Sequence, residues 1–182
     1  EHNDHIIGLD DVRPFNFINR TDMPVYTVER VQKDLRQRFD YIFKEHQYPG
    51  APKVKLVDIS ENEPFQIGDL VIIPINVMHG ELPILGFRFG NFTYLTDVKT
   101  ISEEEMKKIY DTKVLVLNAL HHNEHHSHLN LKEALELIEK LKPEKAYLTH
   151  ISHNMGLHEE VSKTLPSNVE LAFDGLTVNL PY

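Results

Sequence analysis

With 182 residues, a formal net charge of −9 and no cysteine, the chain rules out several classes before any motif is read. Its length suits one domain with a real core, its acidity argues against an electrostatic nucleic-acid binder, and disulfides and thiolate metal sites are impossible. A hydrophobic content of 41% is ordinary for a soluble globular protein, and the longest apolar run, LVIIPINVM, is far too short to span a bilayer, so a cytoplasmic protein without membrane contact is expected.

In chain order, MPVYTVERVQKDLRQRFDYIF begins extended and turns helical, with Val28, Val31, Leu35, Phe39 and Ile42 on one face. YPGAPK is a loop, and KVKLVDI alternates as a strand does. LVIIPINVMHG reads as a buried strand ending at His79. LGFRFGNFTYLTD reads as two strands around a tight turn at Gly90-Asn91, running on to Asp97. Ser102 with Glu105 three residues on predicts a capping box at a helix start. KVLVLNAL is a strand running into HHNEHHSH, NLKEALELIEKLKP an amphipathic helix stopped by Pro143, and KAYLTHISH a strand ending in His150. VELAFDGLTVNL predicts a closing hairpin around Asp174-Gly175. The pattern is one mixed α/β domain over 1–182.

Nine of the twelve histidines fall into three separated clusters, HNDH, HHNEHHSH and THISH, which a tag would not produce. Histidine is the commonest metal ligand and the usual proton-transfer group near neutral pH. His79, Asp97, the 121–128 cluster and His150 each follow a predicted strand. Any one of them alone reads best as a solvated loop residue. Together they point to one sheet edge, where loops build active sites.

HNDH followed by IIGLDD, then a lone His, an Asp after YLT, and LTH resembles the metallo-β-lactamase superfamily of hydrolases. GLDDVRPFNF, MPVYT, LNALHHNEHHSHLNLKEALELI and AYLTHISH resemble its PhnP-like branch, which contains a phosphoribosyl cyclic phosphate phosphodiesterase. The resemblance spans essentially the whole chain. It implies an α/β fold, the αββα sandwich, with two divalent ions, Zn or Mn. His2, Asp4 and His5 take the places of the second His, the Asp and the last His of H-x-H-x-D-H, and the first His has no counterpart in this sequence. One metal would then be held by His2, His79 and a bridging Asp97, the other by Asp4, His5, Asp97 and His150. His128, in SHLNL, matches the family's extra active-site His.

The donors are nitrogen and oxygen, which suits Zn²⁺ or Mn²⁺. A carboxylate such as Asp97 can bridge ions roughly 3.5–4 Å apart, and a hydroxide held between them would be a nucleophile at neutral pH. Imidazolium at His128 could protonate the leaving alkoxide. The expected function is cleavage of a small cyclic or diester phosphate. Rival readings are a thioester or lactone hydrolase, a truncated module that binds metal without catalysis, and a tRNA-processing nuclease, which the net charge disfavours.

Asp10 and Asp11 read either as acceptors orienting ligand rings or as helix N-caps. Arg13 reads as a structural ion pair before a phosphate contact, and Tyr26 as packing. His121, His122, His125 and His126 read as solvated loop residues with one free to touch substrate, His153 as a neighbour of the site, and His46 and His158 as surface. The expected parent is longer, with strands before HNDH. A homodimer would be another way to cover the sheet face those strands leave open, which would otherwise favour aggregation.

Overall fold

A computed structural model describes residues 1–180, which divide into two compact units, Glu1–Ser60 and Glu61 onward. No helix among the described residues is long and apolar enough to cross a membrane.

In the first unit, helix α1 (Asn3–Ile6) runs through a 3₁₀ stretch into α2 (Arg13–Asn19). Strand β1 (Met23–Thr27) then pairs in parallel with β2 (Val54–Asp58). Parallel strands cannot be joined by a tight turn, and the crossover carries α3 (Glu29–Arg38) and α4 (Asp40–Phe43). The sequence predicts one continuous helix here, but the chain bends at Phe39, where φ is −110° and ψ 43°. The helical bonding carries on across the bend, with Phe39 N–H donating to Leu35 O and Ile42 N–H to Phe39 O. The predicted face therefore survives: Leu35, Phe39 and Ile42 form a core against Val25, Val31, Val54 and Leu56.

Asp10 does not take the expected N-cap role. The N-cap of α2 is Val12, without a side-chain bond. Asp10 instead accepts the Tyr41 hydroxyl at 2.7 Å. Burial first, and then this carboxylate, push the Tyr41 hydroxyl up to about 12.

The second unit is a seven-stranded sheet in sequence order: β3 (Phe65–Ile67), β4 (Leu70–His79), β5 (Leu82–Phe89), β6 (Phe92–Leu95), β7 (Val114–Asn118), β8 (Lys145–Thr149) and β9 (Val169–Leu171). From β3 to β6 the pairs are antiparallel, and from β6 to β9 parallel. Short helices α5 (Glu103–Met106) and α7 (His158–Ser162) and the longer α6 (Leu131–Leu141) lie in the parallel crossovers. Strand β7 is nearly continuous in apolar residues because it is buried along almost its whole length. Ile75, Leu95, Leu115, Leu117 and Leu148 are fully buried and join Ala134 and Ile138 of α6 in one core.

Several local expectations change. Ser102 caps α5, but Glu105 does not close the box; its carboxylate accepts from Asn76 N–H at 2.7 Å. The complete capping box is at Asn130 and Glu133, opening α6. The turn at Gly90-Asn91 forms as expected, pairing Phe89 with Phe92. The Asp174-Gly175 turn closes with Leu176 N–H on Phe173 O, but residues 176–180 form no strand. The ladder bonds of β9 go to β8 in parallel, so the hairpin is replaced by a turn leading off the sheet.

Gly86 lies where β5 meets β6 most closely. A Cβ there would fall 2.2 Å from Leu95 Cδ2 and 3.1 Å from Tyr94 O. Leu95 is fully buried and cannot swing aside. Gly86→Ala should therefore lower stability by about 1–3 kcal/mol, read as a lower urea midpoint with the slope unchanged.

Candidate metal centre

Sheet direction gathers the site. Strands β6, β7 and β8 are parallel, so their C-terminal ends share one edge. Strand β4 is two antiparallel steps from β6 and so runs the same way. His79 ends β4, Asp97 follows β6, the histidine loop follows β7, and His150 follows β8.

Asp97 is the hub. Its side chain is 9% exposed, and its Oδ1 lies 2.8 Å from His128 Nε2 and 3.3 Å from His150 Nε2. Its carbonyl accepts from His79 Nδ1 at 2.9 Å. That bond makes Nδ1 a donor and orients the ring. The His79 and His128 rings meet edge to face at 4.5 Å, and those of His128 and His150 stack at 5.0 Å. Burial pushes the His128 imidazole down to about 4, against the pull of Asp97. The ring is therefore neutral at pH 7, where a freely protonated His128 is what the sequence leads one to expect.

The backbone shares in this arrangement. Asp97 and His150 both adopt left-handed conformations, with φ of 57° and 54°. Non-glycine residues hold that conformation against a steric penalty, and such strain concentrates at functional sites. Asn118, fully buried at the end of β7, holds the first of them. It accepts from Val98 N–H at 2.7 Å and donates to Val98 O at 3.0 Å. Bonds from Lys99 N–H to Met78 O and from Met78 N–H to Thr100 O tie the same loop to the end of β4. On the far side of the site, Lys99 reaches the α6 capping carboxylate of Glu133 at 2.8 Å.

The sequence did not reveal Asn118. Its one signal was an amide closing the otherwise apolar strand VLVLN. His125, read as a loop residue, is half-buried, with its Nδ1 3.0 Å from His128 Nδ1. His122, at 2.9 Å from Met155 O, and His158, at 3.4 Å from Leu171 O, make backbone contacts. His153 and His46 are exposed. His2, Asp4 and His5 belong to the first unit, at the start of α1, where the side chains of His5 and Asp4 are 3.5 Å apart.

A family model described as a beta-lactamase superfamily domain matches residues 1–151. The chain belongs to this superfamily. A crystal structure described as a new diphosphatase from the PhnP family is 37% identical, with a TM-score of 0.88 over 99% of this chain and 68% of that one. That likeness puts the chain in the PhnP-like branch. A metallo-beta-lactamase fold protein of Bacillus subtilis, YhfI, superposes with a TM-score of 0.74 at 17% identity over 97% of this chain and 73% of that one. Short-form human tRNase Z superposes with a TM-score of 0.70, also at 17% identity, over 100% and 76%. These two likenesses show the shared fold. A protein of Porphyromonas gingivalis (strain ATCC BAA-308 / W83) named octanoyltransferase is 37% identical over 97% of this chain. The chain spans about a third of that protein's length, 36%.

The superfamily is one of metal-dependent hydrolases, and the donor set of the second unit suits a divalent ion. One ligand atom each from His79, Asp97 and His128 lie within 4.8 Å of one another, all nitrogen or oxygen.

Removing the Asn118 amide would leave Val98 N–H and C=O unsatisfied in a buried site. Asn118→Ala should cost about 2–4 kcal/mol of stability by urea unfolding. It should also weaken divalent-metal binding in titration calorimetry more than Gly86→Ala does, because only the former frees Asp97 from its strained backbone.

Proposed function

We propose that the protein is a metal-dependent phosphodiesterase acting on a small cyclic, diester or diphosphate substrate. The observation that carries this reading is the meeting of His79, His128 and His150 on the buried Asp97. The 37% identity to a PhnP-family diphosphatase supports a phosphoryl substrate. Diester and diphosphate cleavage share one chemistry, displacement at phosphorus with a bridging oxygen leaving.

In this reading His79, Asp97 and His150 would hold the divalent ions. His2, Asp4 and His5 keep the ligand roles that the sequence resemblance gives them. Bound divalent ions, Zn or Mn, supply Lewis acidity and a nucleophile at neutral pH. His79 presents Nε2 because its Nδ1 is committed to Asp97 O. His128 carries its proton at Nε2, facing Asp97 Oδ1, and delivers that hydrogen bond to the leaving oxygen. As a neutral donor it can stabilise developing negative charge without first being protonated. The half-buried rings of His150 and His79 pack against that of His128 at 5.0 and 4.5 Å.

An acyl substrate is the alternative, because the Porphyromonas gingivalis relative is named for octanoyl transfer. The 64% of that protein outside the match (100 less 36) leaves room for the named activity elsewhere in it. Nucleic acid stays disfavoured by the net charge of −9.

The test is turnover of bis-p-nitrophenyl phosphate, a diphosphate ester and an acyl thioester by protein loaded with Mn²⁺ or Zn²⁺. Turnover of the thioester alone would overturn the phosphodiesterase reading.

Substitutions separate the roles. Asp97→Ala should abolish metal uptake in elemental analysis after reloading. His128→Ala should keep metal and slow a diester with an alkoxide leaving group by roughly 10²–10⁴-fold. The same variant should slow the p-nitrophenyl substrate far less, because that leaving group needs little help from a proton. Loss of metal in His128→Ala would make His128 a ligand and not a donor.

A further inference from the structure

The four parallel strands of the second unit end in one register. Leu95 of β6 pairs with Leu117 of β7, Leu117 with Leu148 of β8, and Leu148 with Leu171 of β9. Two residues beyond these leucines stand Asp97, Ala119, His150 and Phe173. Asp97 and His150 belong to the candidate metal centre, and Phe173 is the β9 member of the same row. Backbone bonds carry the alignment past the leucines, with Ala119 N–H donating to Thr149 O and Ala172 N–H to Leu148 O. Phe173 therefore follows the last bond of β9 directly, at about the 4.8 Å spacing of neighbouring strands from the backbone position of His150.

The core does not claim this aromatic side chain. Phe173 is 57% exposed, whereas Leu171, two residues back on the same strand, is 4% exposed. The ring is nevertheless braced from one side. His158 meets it edge to face at 6.1 Å, and His158 Nε2 lies 3.4 Å from Leu171 O. The turn bond from Leu176 N–H to Phe173 O fixes the backbone there. A ligand group that packs on such a ring gains most if it is itself planar and aromatic, because ring pairs gain beyond the area they bury. Sites for small ligands combine apolar contact of this kind with a few polar groups that fix orientation. Here the polar groups, Asp97 and His150, are already gathered along the same edge.

We propose that Phe173 forms a subsite that seats an aryl or heterocyclic arm of the phosphate ester, with the phosphoryl group held at the edge positions of Asp97 and His150. The subsite rests on the proposed function and narrows its substrate class to esters that carry a planar ring.

The test is titration calorimetry of Zn²⁺-loaded protein with phenylphosphonate and methylphosphonate, which share one anionic head and differ in the single arm. Wild type should bind the phenyl compound roughly tenfold more tightly. Phe173→Ala should bring the ratio close to one, and Phe173→Tyr should keep it. Leu70→Ala should also keep it, because Leu70 is exposed to 54% but begins β4 at the opposite edge of the sheet. With bis-p-nitrophenyl phosphate, Phe173→Ala should raise KM roughly tenfold with kcat little changed, as loss of a contact made equally in ground and transition states does. Equal affinity of wild type for the two phosphonates, failure of both to bind, or a preference that survives in Phe173→Ala would each overturn the subsite. A preference lost in Phe173→Ala, without turnover of any phosphodiester, would keep the subsite and overturn the phosphodiesterase reading. Turnover with KM unchanged in Phe173→Ala would do the reverse.

Discussion

Asn118 and the residue it grips, Val98, bear on everything else in the second unit. A buried backbone segment must have its N–H and C=O groups satisfied, and a loop leaving a sheet has no ladder to satisfy them. Here one amide side chain does both jobs, accepting from Val98 N–H and donating to Val98 O. The residue before it, Asp97, can then sit in a left-handed conformation that an aspartate would otherwise leave. With Asp97 fixed, its carbonyl orients the His79 ring and its carboxylate meets His128 and His150. A polar residue is used deep in an apolar core because it places a charge at the sheet's edge.

The strand directions do the rest. Four chemically important positions lie far apart in the sequence, from His79 to His150, yet each follows a strand running toward the same edge. The antiparallel hairpin of β4 and β5 brings in His79, and the parallel crossovers bring in Asp97, the histidine loop and His150. The loops are then cross-tied: Ala119 N–H to Thr149 O, Ser152 N–H to Leu120 O, and Leu129 N–H to Val98 O. A site built from loops is thus tied across by backbone hydrogen bonds.

Much of this was legible in the residues. Long apolar or alternating runs with clear turn residues, such as 70–80, 85–97 and 113–120, read as strands because burial on a sheet leaves a two-residue period or a continuous apolar stretch. Side chains at strand ends could be grouped for the same reason. What the sequence could not carry was which polar atom meets which. Glu105 looked like the closing half of a capping box, yet its carboxylate was claimed by Asn76 N–H from another strand. Asp174-Gly175 had the residues of a hairpin turn, but β9 already had its partner in β8. Asn118 and His125 were missed because their partners, Val98 and His128, are set by tertiary contact and leave no spacing rule behind.

The electrostatics narrow what such a site can be for. The chain carries a net charge of −9, which repels an anionic substrate at long range. Within the second unit's cluster burial keeps the His128 ring neutral beside the carboxylate of Asp97. Left to its own side chains, this edge would be a poor place to bind a phosphate. The imidazole nitrogens and carboxylate oxygens gathered there are instead suited to divalent cations, whose ligand nitrogens must be unprotonated. A phosphoryl group would then be drawn by cations concentrated at one point and not by a basic surface. In the proposed reading, that would distinguish a site for small phosphate esters from a nucleic-acid channel, in which Lys and Arg must be spread along a strand of phosphates.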